Sequence, residues 1–343
     1  MRQGQNPAKM GLKAYQPKRL GVAVLSYIPN QEGFFKNSLE ILKYQIASLH
    51  AATSDFDLLV FDNGSCLEAR EELLQLYTSG LIHILFLSQF NIGKVGAINW
   101  LLSAMPNEWI CYSDGDMFFR PGWLENSLAI FEAFPSAGLV FAQPTLFDTL
   151  RGTGQAYHQL EADARYQLSK EIIPAESVRE YALGFGVKAE LEQELMETPV
   201  CVAEEKASGV RTVVGGGHNQ FLVRREVARR IIPIPTQLAL SPMEDSAFNR
   251  RVDDLGLLQL STFEPFTFHV GNRLDDWTRQ EVDQLGLENV RVATGNRRER
   301  SLPASASRSK QRTLSLLGWL SRRNFINKLL RRLYNLLFEF YAK

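Results

Sequence analysis

Short apolar runs separated by segments of helical period are the feature that most constrains the fold of this chain. The runs lie at 20–28, 57–65, 81–89, 108–116 and 138–144. After the first run, Leu39, Leu42 and Ile46 repeat with the spacing of one helix face. Short unbroken apolar runs are typical of strands buried on both faces. The alternation predicts an α/β fold, in which a mostly parallel sheet is flanked by helices.

Polar side chains follow three of these runs at the point where each strand is predicted to end. Asp62 lies in "FDNGS", Asn91 follows the third run, and Asp114 and Asp116 close the fourth. In sheets of this kind, ligands bind beyond the carboxyl ends of the strands. We therefore expect a ligand site at that edge.

The pair Asp114 and Asp116 flanks Gly115 in "ICYSDGDMFF". Two carboxylates at a strand end suit Mg²⁺ or Mn²⁺, especially when a diphosphate supplies further oxygens. An acidic turn is the competing interpretation, because Asp and Gly both favour turns. The metal interpretation is strengthened by the apolar run in front of the pair, since the pair then closes a buried strand.

Two later features could complete a site. His269 ends the apolar run "PFTFHV", and a neutral imidazole is a common metal ligand, although a lone histidine is more often structural. Glu244 and Asp245 stand directly before a helical pattern. One of them could be a general base, or both could be first-turn charges that favour the helix dipole.

Two loops could contact an anion or a sugar. The segment "NIGKVGAIN", which contains Lys94, opens a helix, and loop amides at a helix start can bind a phosphate. A glycine-rich loop precedes the segment "HNQFLV". Ordinary capping and turn chemistry explains both loops equally well.

The bulk composition excludes several classes of protein. The chain has 343 residues, 45% hydrophobic and 22% charged, which is enough for one large core and argues against disorder. The cysteines Cys66, Cys111 and Cys201 have no metal-site spacing, so we expect a reduced, cytoplasmic chain. We also expect neither a signal peptide nor a membrane-spanning helix, because no sufficiently long apolar run occurs.

Charge is unevenly distributed along the chain. Residues 1–17 are predicted to be a flexible lead-in, and 150–212 a largely helical insert whose many glutamates, Glu180 among them, form a solvated acidic face. A polar linker, 281–312, precedes 313–343, a predicted basic amphipathic helix. That helix suits either a membrane surface, such as the inner membrane face, or packing and self-association. Nucleic acid is not an expected partner, because the chain before the basic tail is net acidic.

The order of the motifs resembles the family 2 glycosyltransferases, which have the GT-A fold. The motifs that carry the resemblance are "FDNGS", "NIGKVGAIN", "SDGD", "GGGHNQFLVRRE", "MED" and "HVGN", and we predict a GT-A domain over 18–280. The resemblance implies a nucleotide-diphosphate sugar as donor and Mn²⁺ or Mg²⁺ as cofactor. It also implies transfer of the sugar to a hydroxyl of a glycan, a lipid-linked molecule or a protein.

The resemblance also implies a role for each motif residue. Asp116 would bind the metal with Asp114 and His269, and Asp245, beside Glu244, would be the catalytic base of an inverting enzyme. The residues implied at the nucleotide sugar, a UDP- or GDP-sugar, are Tyr27, Asp62, Asn91, Gly93, Lys94, Asn99, Asp114, Gly216, Gly217 and His218.

Some features depart from the family pattern. The first strand ends in "LSYIPNQE", without the usual motif, and Asn63 replaces a frequent second acid. The Q-x-x-R-W motif of processive synthases is missing, which favours transfer of a single sugar. A retaining GT-A enzyme, a nucleotidyltransferase and an inactive sugar-binding relative remain as alternatives.

Overall fold

The computed structural model describes residues 15–146, 154–235 and 243–287. The strands in these ranges are β1 Leu20–Ser26, β2 Phe56–Asp62, β3 Ile84–Leu87, β4 Trp109–Asp114, β5 Met117–Phe119, β6 Ala137–Phe141, β7 Tyr166–Glu171, β8 Val200–Glu205, β9 Arg211–Val214, β10 Gln220–Arg224, β11 Leu258–Ser261 and β12 Thr267–His269.

Helices connect most of these strands. They are α1 Ser38–Ala52, α2 Leu67–Ser79, α3 Lys94–Ala104, α4 Trp123–Ala133, α5 Gly154–Glu161, α6 Ala175–Phe185, α7 Ala189–Glu197, α8 Arg225–Ile231, α9 Met243–Asp253 and α10 Asp276–Gln284, with a short 3-10 turn at Gly33–Phe35. None of the helices in the described ranges is long and apolar enough to cross a bilayer.

One large sheet and one small sheet organise the fold. The large sheet has ten strands in the order β3-β2-β1-β4-β10-β6-β11-β9-β8-β7. Strands β3, β2, β1 and β4 are parallel, and β6 and β11 are parallel to each other, whereas β10 runs antiparallel between β4 and β6. The small sheet pairs β5 with β12. The predicted α/β architecture is confirmed.

The central strands are buried on both faces, as their unbroken apolar runs predict. Alternate residues of β1 pack into different cores: Val22 and Val24 lie in one cluster, and Ala23 and Leu25 in the other. Helices α1, α2 and α4 contribute to the first cluster, and α3, α8 and α9 to the second. This arrangement leaves the carboxyl ends of β1, β2 and β4 free to form a site.

All five predicted strands of the first half are present, although each ends two or three residues earlier than predicted. Strands β5 and β11 were not predicted, because a run of three or four residues has too little pattern of its own. The region 150–212 does contain three helices, but β7 and β8 also extend the large sheet there, and neither strand was expected.

Two predictions need correction, one about exposure and one about a boundary. Glu180 is buried rather than part of a solvated acidic face, because α6 packs it against Arg120. Helix α10 continues to Gln284, so the predicted linker cannot begin at 281. The predicted amphipathic helix at 313–343 and most of the lead-in lie outside the described residues.

Candidate active site

The register of the parallel strands brings the polar strand ends together. Ser26 at the end of β1 pairs with Asp62 on one side, and its neighbour Leu25 pairs with Asp114 on the other. The chain order reverses at β1, which lies between β2 and β4. A crevice beyond such a reversal is the usual ligand position in open α/β sheets.

Asp114 is held by hydrogen bonds on both carboxylate oxygens. Lys94 at the start of α3 donates to Oδ2 at 2.7 Å, and the Tyr112 hydroxyl donates to Oδ1 at 2.6 Å. Gln45 of α1 donates to the main-chain carbonyl of Asp114 at 2.6 Å. Burial raises the pKa of Asp114, and the Lys94 ammonium opposes that shift.

Asp116 faces His269 across the small sheet. Residue Met117 pairs with His269 in the β5–β12 ladder, and the main-chain N–H of Val270 donates to the carbonyl of Asp116 at 2.8 Å. The side chains then meet, with His269 Nε2 3.0 Å from Asp116 Oδ2. The other oxygen, Asp116 Oδ1, is buried and has no hydrogen-bond partner among the described residues.

The imidazole of His269 is oriented from its far side. Its Nδ1 lies 2.9 Å from the carbonyl oxygen of Gly184, at the end of α6, so Nδ1 carries a proton and donates it. Nε2 is thereby left to face Asp116. Burial lowers the pKa of His269, but the Asp116 carboxylate outweighs burial and raises it overall. Conversely, burial raises the pKa of Asp116, but His269 outweighs that effect and lowers it.

A cavity of about 110 Å³ opens beside Asp116. Tyr27, Gly115 and Ser26 line it, and the Ser26 hydroxyl is buried without a hydrogen-bond partner in the described part of the chain. Gly115 is required there, since a Cβ would lie 2.9 Å from the carbonyl oxygen of Leu25. Two unpartnered oxygens at one cavity indicate a place where a ligand supplies the missing contacts.

Asp62 and its neighbour Asn63 shape the next part of the edge. The Asp62 carboxylate is fully buried and accepts from Arg70 Nε at 3.1 Å and from the N–H of Ser65. The Asn63 amide accepts from the N–H of Ile92 at 2.9 Å and donates to Asn91 Oδ1 at 3.0 Å. Asn63 therefore fixes the loop in front of Lys94.

Some of the predicted residues do not join this group. The Asn99 amide exchanges two hydrogen bonds of 2.8 Å with the backbone of Ile234, so it fastens the segment after α8. Gly216 and Gly217 lie in the connection from β9 to β10.

His218 lines a small cavity together with Lys94 and Phe248. Asp245 and Glu244 lie in the first turn of α9, and Asp245 precedes Phe248 by one helical turn. The start of α9 is thus on the same side of the sheet as Lys94.

A family profile matches the part of the chain that builds most of this site. The sequence profile described as glycosyl transferase family 2 matches residues 34–181, which include Asp62, Lys94, Asp114 and Asp116. Over this range the chain is similar to the family 2 glycosyltransferases. The mixed sheet with parallel central strands agrees with the GT-A fold of that family. No curated protein sequence matches the chain.

Two solved structures are similar to this chain. Residues 1–349 of TarS from S. aureus are 14% identical, with a TM-score of 0.42, over 73% of this chain and 59% of that one. A Pyrobaculum calidifontis mannosyltransferase, solved with GDP-Man and Mn²⁺, is 14% identical, with a TM-score of 0.41, over 72% and 55%. The chain therefore spans less than two thirds of the length of these structures.

The candidate active site has a donor set that fits a divalent cation, although the protein supplies only part of it. Asp116 offers an unpartnered buried oxygen, and His269 presents an oriented ring nitrogen beside it. No group of three or more His, Cys, Asp or Glu in the described ranges could hold a metal by itself. Substrate oxygens would therefore have to complete the coordination sphere, as diphosphates do for Mg²⁺.

Sequence reasoning missed three residues of the candidate active site. Ser26 stands inside an apolar run and Gln45 inside an amphipathic helix. A single polar residue in either setting gives no sign of a functional role. Gly184 lies 85 positions from His269, so only the tertiary structure brings its carbonyl to the ring. A buried polar residue at a strand end was the one signal that could have revealed Ser26.

Proposed function

We propose that this protein transfers a single sugar from a nucleotide-diphosphate sugar to an acceptor hydroxyl, with inversion at the anomeric carbon. The observation that carries the proposal is Asp116 Oδ1, a buried carboxylate oxygen that has no partner among the described residues and lies beside the oriented ring of His269. The family match over 34–181 supports the reaction class.

We propose a division of roles between the two aspartates. Asp116 and His269 would hold Mn²⁺ or Mg²⁺, and the cation would neutralise charge that develops on the diphosphate leaving group. Asp114, whose oxygens are occupied by Lys94 and Tyr112, is left out of the metal set. It keeps Lys94 at the crevice, where that ammonium can meet a phosphate at the start of α3.

The remaining contacts to the nucleotide sugar are proposed at the same edge of the sheet. Tyr27 lines the cavity beside Asp116 and is proposed to contact the nucleotide. Asp62 is proposed to contact the nucleobase. Asn91 and Gly93, in the loop that Asn63 fixes, are proposed to lie beside the nucleotide. His218 and its neighbours Gly216 and Gly217 are proposed to border the donor sugar.

Asp245 is the proposed general base, with Glu244 beside it. An alcohol is a poor nucleophile at neutral pH, so a carboxylate must take its proton as the new bond forms. Asp245 is placed in the first turn of α9, one turn before Phe248, which shares a cavity with Lys94 and His218. This position would put the base on the side of the sheet that carries Lys94.

Donor binding can be tested without knowing the acceptor. A panel of UDP- and GDP-sugars is screened by thermal unfolding, with and without Mn²⁺. Ligand at a hundred times its dissociation constant stabilises the folded state by about 2.7 kcal/mol, so one donor should raise the melting temperature by several degrees. The metal-dependent part of that shift should vanish in Asp116→Asn. No donor-dependent shift with any sugar would reject the proposal.

The stereochemistry and the base are tested together once a productive donor is found. NMR of the first product reports the anomeric configuration, and retention would reject the inverting mechanism. Asp245→Asn should lower kcat by about 10²–10⁴-fold. Release of a nucleoside diphosphate distinguishes sugar transfer from a nucleotidyltransferase, which would release pyrophosphate.

A further inference from the structure

A groove between α6 and α10 begins at the wall of the candidate active site. A cavity of about 390 Å³ has His269 in its wall, together with Phe34 and Phe185. A second cavity, of about 920 Å³, lies between α6 and α10 and shares Leu183 and Trp277 with the first. Together they form what we call the α6–α10 groove, which is larger than a pocket for one small ligand.

Aromatic and aliphatic side chains are exposed along the groove. Phe34 is 68% exposed, Leu183 53% and Phe185 37%. The Phe185 ring stacks on His269 at a centroid distance of 4.6 Å, and Trp277 packs edge-on against Phe268. Flat apolar surfaces that are fixed by packing suit the apolar faces of sugar rings, since aromatic groups bury large areas at fixed geometry.

The groove has no excess of positive charge. Three arginines and four carboxylates line the two cavities. Arg120 is paired with both Glu180 and Glu281, so these three groups carry one net negative charge. Ser177, Gln280 and Gln284 add uncharged polar groups of the kind that bond hydroxyls. A polyanion would find no excess of positive charge here. An uncharged polyhydroxylated chain would find groups that bond its hydroxyls.

The groove is tied to the active site through main-chain contacts. Gly184 follows Leu183 in α6, and its carbonyl accepts the proton of His269 Nδ1. A Cβ at Gly184 would overlap the main-chain oxygen of His269, so the two segments are in direct contact. A ligand along the groove therefore ends beside the pair Asp116 and His269.

Building on the proposed function, we infer that the α6–α10 groove binds the acceptor, and that the acceptor is an extended, uncharged oligosaccharide whose reacting end lies next to His269. The sugar rings nearest the site pack on Phe185 and Trp277. The more distant rings lie between α6 and α10, where the glutamines and Ser177 bond their hydroxyls.

Binding of oligosaccharides to the full chain tests this inference. Isothermal titration calorimetry uses uncharged oligomers of glucose, mannose and N-acetylglucosamine, from the monosaccharide to the hexasaccharide, and sulfated oligomers of the same lengths. Affinity for one uncharged series should rise about ten-fold from the monosaccharide to the tetrasaccharide, since longer ligands reach more of the groove. Affinity that is equal at every length, preference for sulfated oligomers, or no binding of any uncharged oligomer would overturn the inference.

Matched variants locate the binding site on one face of α10. Gln280→Ala with Gln284→Ala removes two exposed groove residues, and Arg279→Ala with Asp283→Ala removes two exposed residues that do not line either cavity. The glutamine pair should weaken tetrasaccharide binding about five-fold or more, and the control pair less than two-fold. Trp277→Ala should weaken it further, with circular dichroism to verify folding. Equal effects of the two pairs would place the ligand elsewhere.

Donor-dependent thermal shifts on the same variants separate this inference from the proposed function. A donor shift without length-dependent oligosaccharide binding overturns the groove assignment and leaves the transferase proposal intact. Length-dependent binding without any donor shift rejects the transferase proposal and with it the acceptor role of the groove.

Discussion

The two ends of the β5–β12 ladder hold two different polar clusters. At one end, Asp116 precedes β5 and meets His269, with one carboxylate oxygen unpartnered among the described residues. At the other end, Arg120 follows β5 and donates to Glu180, Glu281 and the carbonyl of Pro265. Three residues of β5 separate the clusters, so both are built on the same backbone.

The difference between the clusters is the degree to which their hydrogen bonds are satisfied. The Arg120 cluster joins α6 and α10 to the small sheet and leaves no carboxylate without a cation, as expected of a structural ion-pair network. The Asp116 cluster leaves a buried oxygen unpaired, which costs stability unless a ligand fills the position. A saturated cluster supports the fold, and an unsaturated one indicates function.

The largest expected effect is on stability, at the saturated end. Arg120→Ala leaves Glu180 and Glu281 buried without a cation, and breaking a buried pair costs about 3–5 kcal/mol in the free energy of unfolding. Urea unfolding measures it. Burial already raises the pKa of Glu180, and loss of Arg120 would raise it further. The folded variant then binds the proton more tightly than the unfolded chain, so its deficit should shrink as pH falls toward 5 and grow above neutrality. A pH-independent deficit would contradict this account.

Nearly as large an effect is expected at the unsaturated end, but on turnover. Asp116→Asn should lower turnover by about 10²–10³-fold, since metal stabilisation of the leaving group supplies several kcal/mol. The free energy of unfolding should change by no more than about 1 kcal/mol, because the carboxylate is 32% exposed and paired on one side only. The exposed Asp283→Asn serves as control. An Asp116 variant that unfolds like Arg120→Ala would remove the distinction between the clusters.

The sequence predicted the strands that carry the site better than the contacts that hold its side chains in place. Strands β1, β2 and β4 carry uninterrupted apolar runs, which fix their burial and bring Asp62 and Asp114 to one edge. The family resemblance implied that Asp116 and His269 act together, and the structure places their side chains 3.0 Å apart. Local pattern was enough for the strands because each strand records its own burial, whereas the pairing of Asp116 with His269 was implied by the family resemblance alone.

The surroundings of the site depend on contacts between distant segments, which no local pattern records. Glu180 belongs to a run that looks solvated, and only its contact with Arg120, 60 positions away, explains its burial. Strand β7 pairs with β8 across two helices, so its half-buried alternation is hidden in an acidic region. Gly184 is unremarkable in sequence, yet its carbonyl orients the candidate metal ligand.

The link between the clusters can be weakened at Gly184. Gly184→Ala places a methyl group against the main chain of His269, so α6 must shift and the His269 ring loses its orienting carbonyl. We expect Mn²⁺ affinity to fall about 10–100-fold, as for other losses of an orienting partner. Calorimetric titration with Mn²⁺ in the presence of the nucleoside diphosphate measures it. The control is Gly186→Ala at the same helix end, where a Cβ has open space but the φ of 61° strains an alanine, so it measures the effect of backbone strain without a clash against His269. Equal losses in both variants would mean that α6 does not orient His269.

The smallest effect is expected from substitution of Lys94. Because Lys94 pairs with Asp114, this variant separates the proposed roles of the two aspartates. Lys94→Met removes the cation at Asp114 Oδ2 and leaves Asp116 with His269 unchanged. Donor affinity should fall about five- to ten-fold, because one charge-assisted contact to a phosphate is worth roughly 1–1.5 kcal/mol. The metal-dependent part of donor binding should stay, since the proposed metal ligands are intact. Lys94→Arg, which keeps the charge, should recover most of the affinity. If Lys94→Met abolished the metal dependence instead, Asp114 would have to be returned to the metal set, and the two aspartates would share one role.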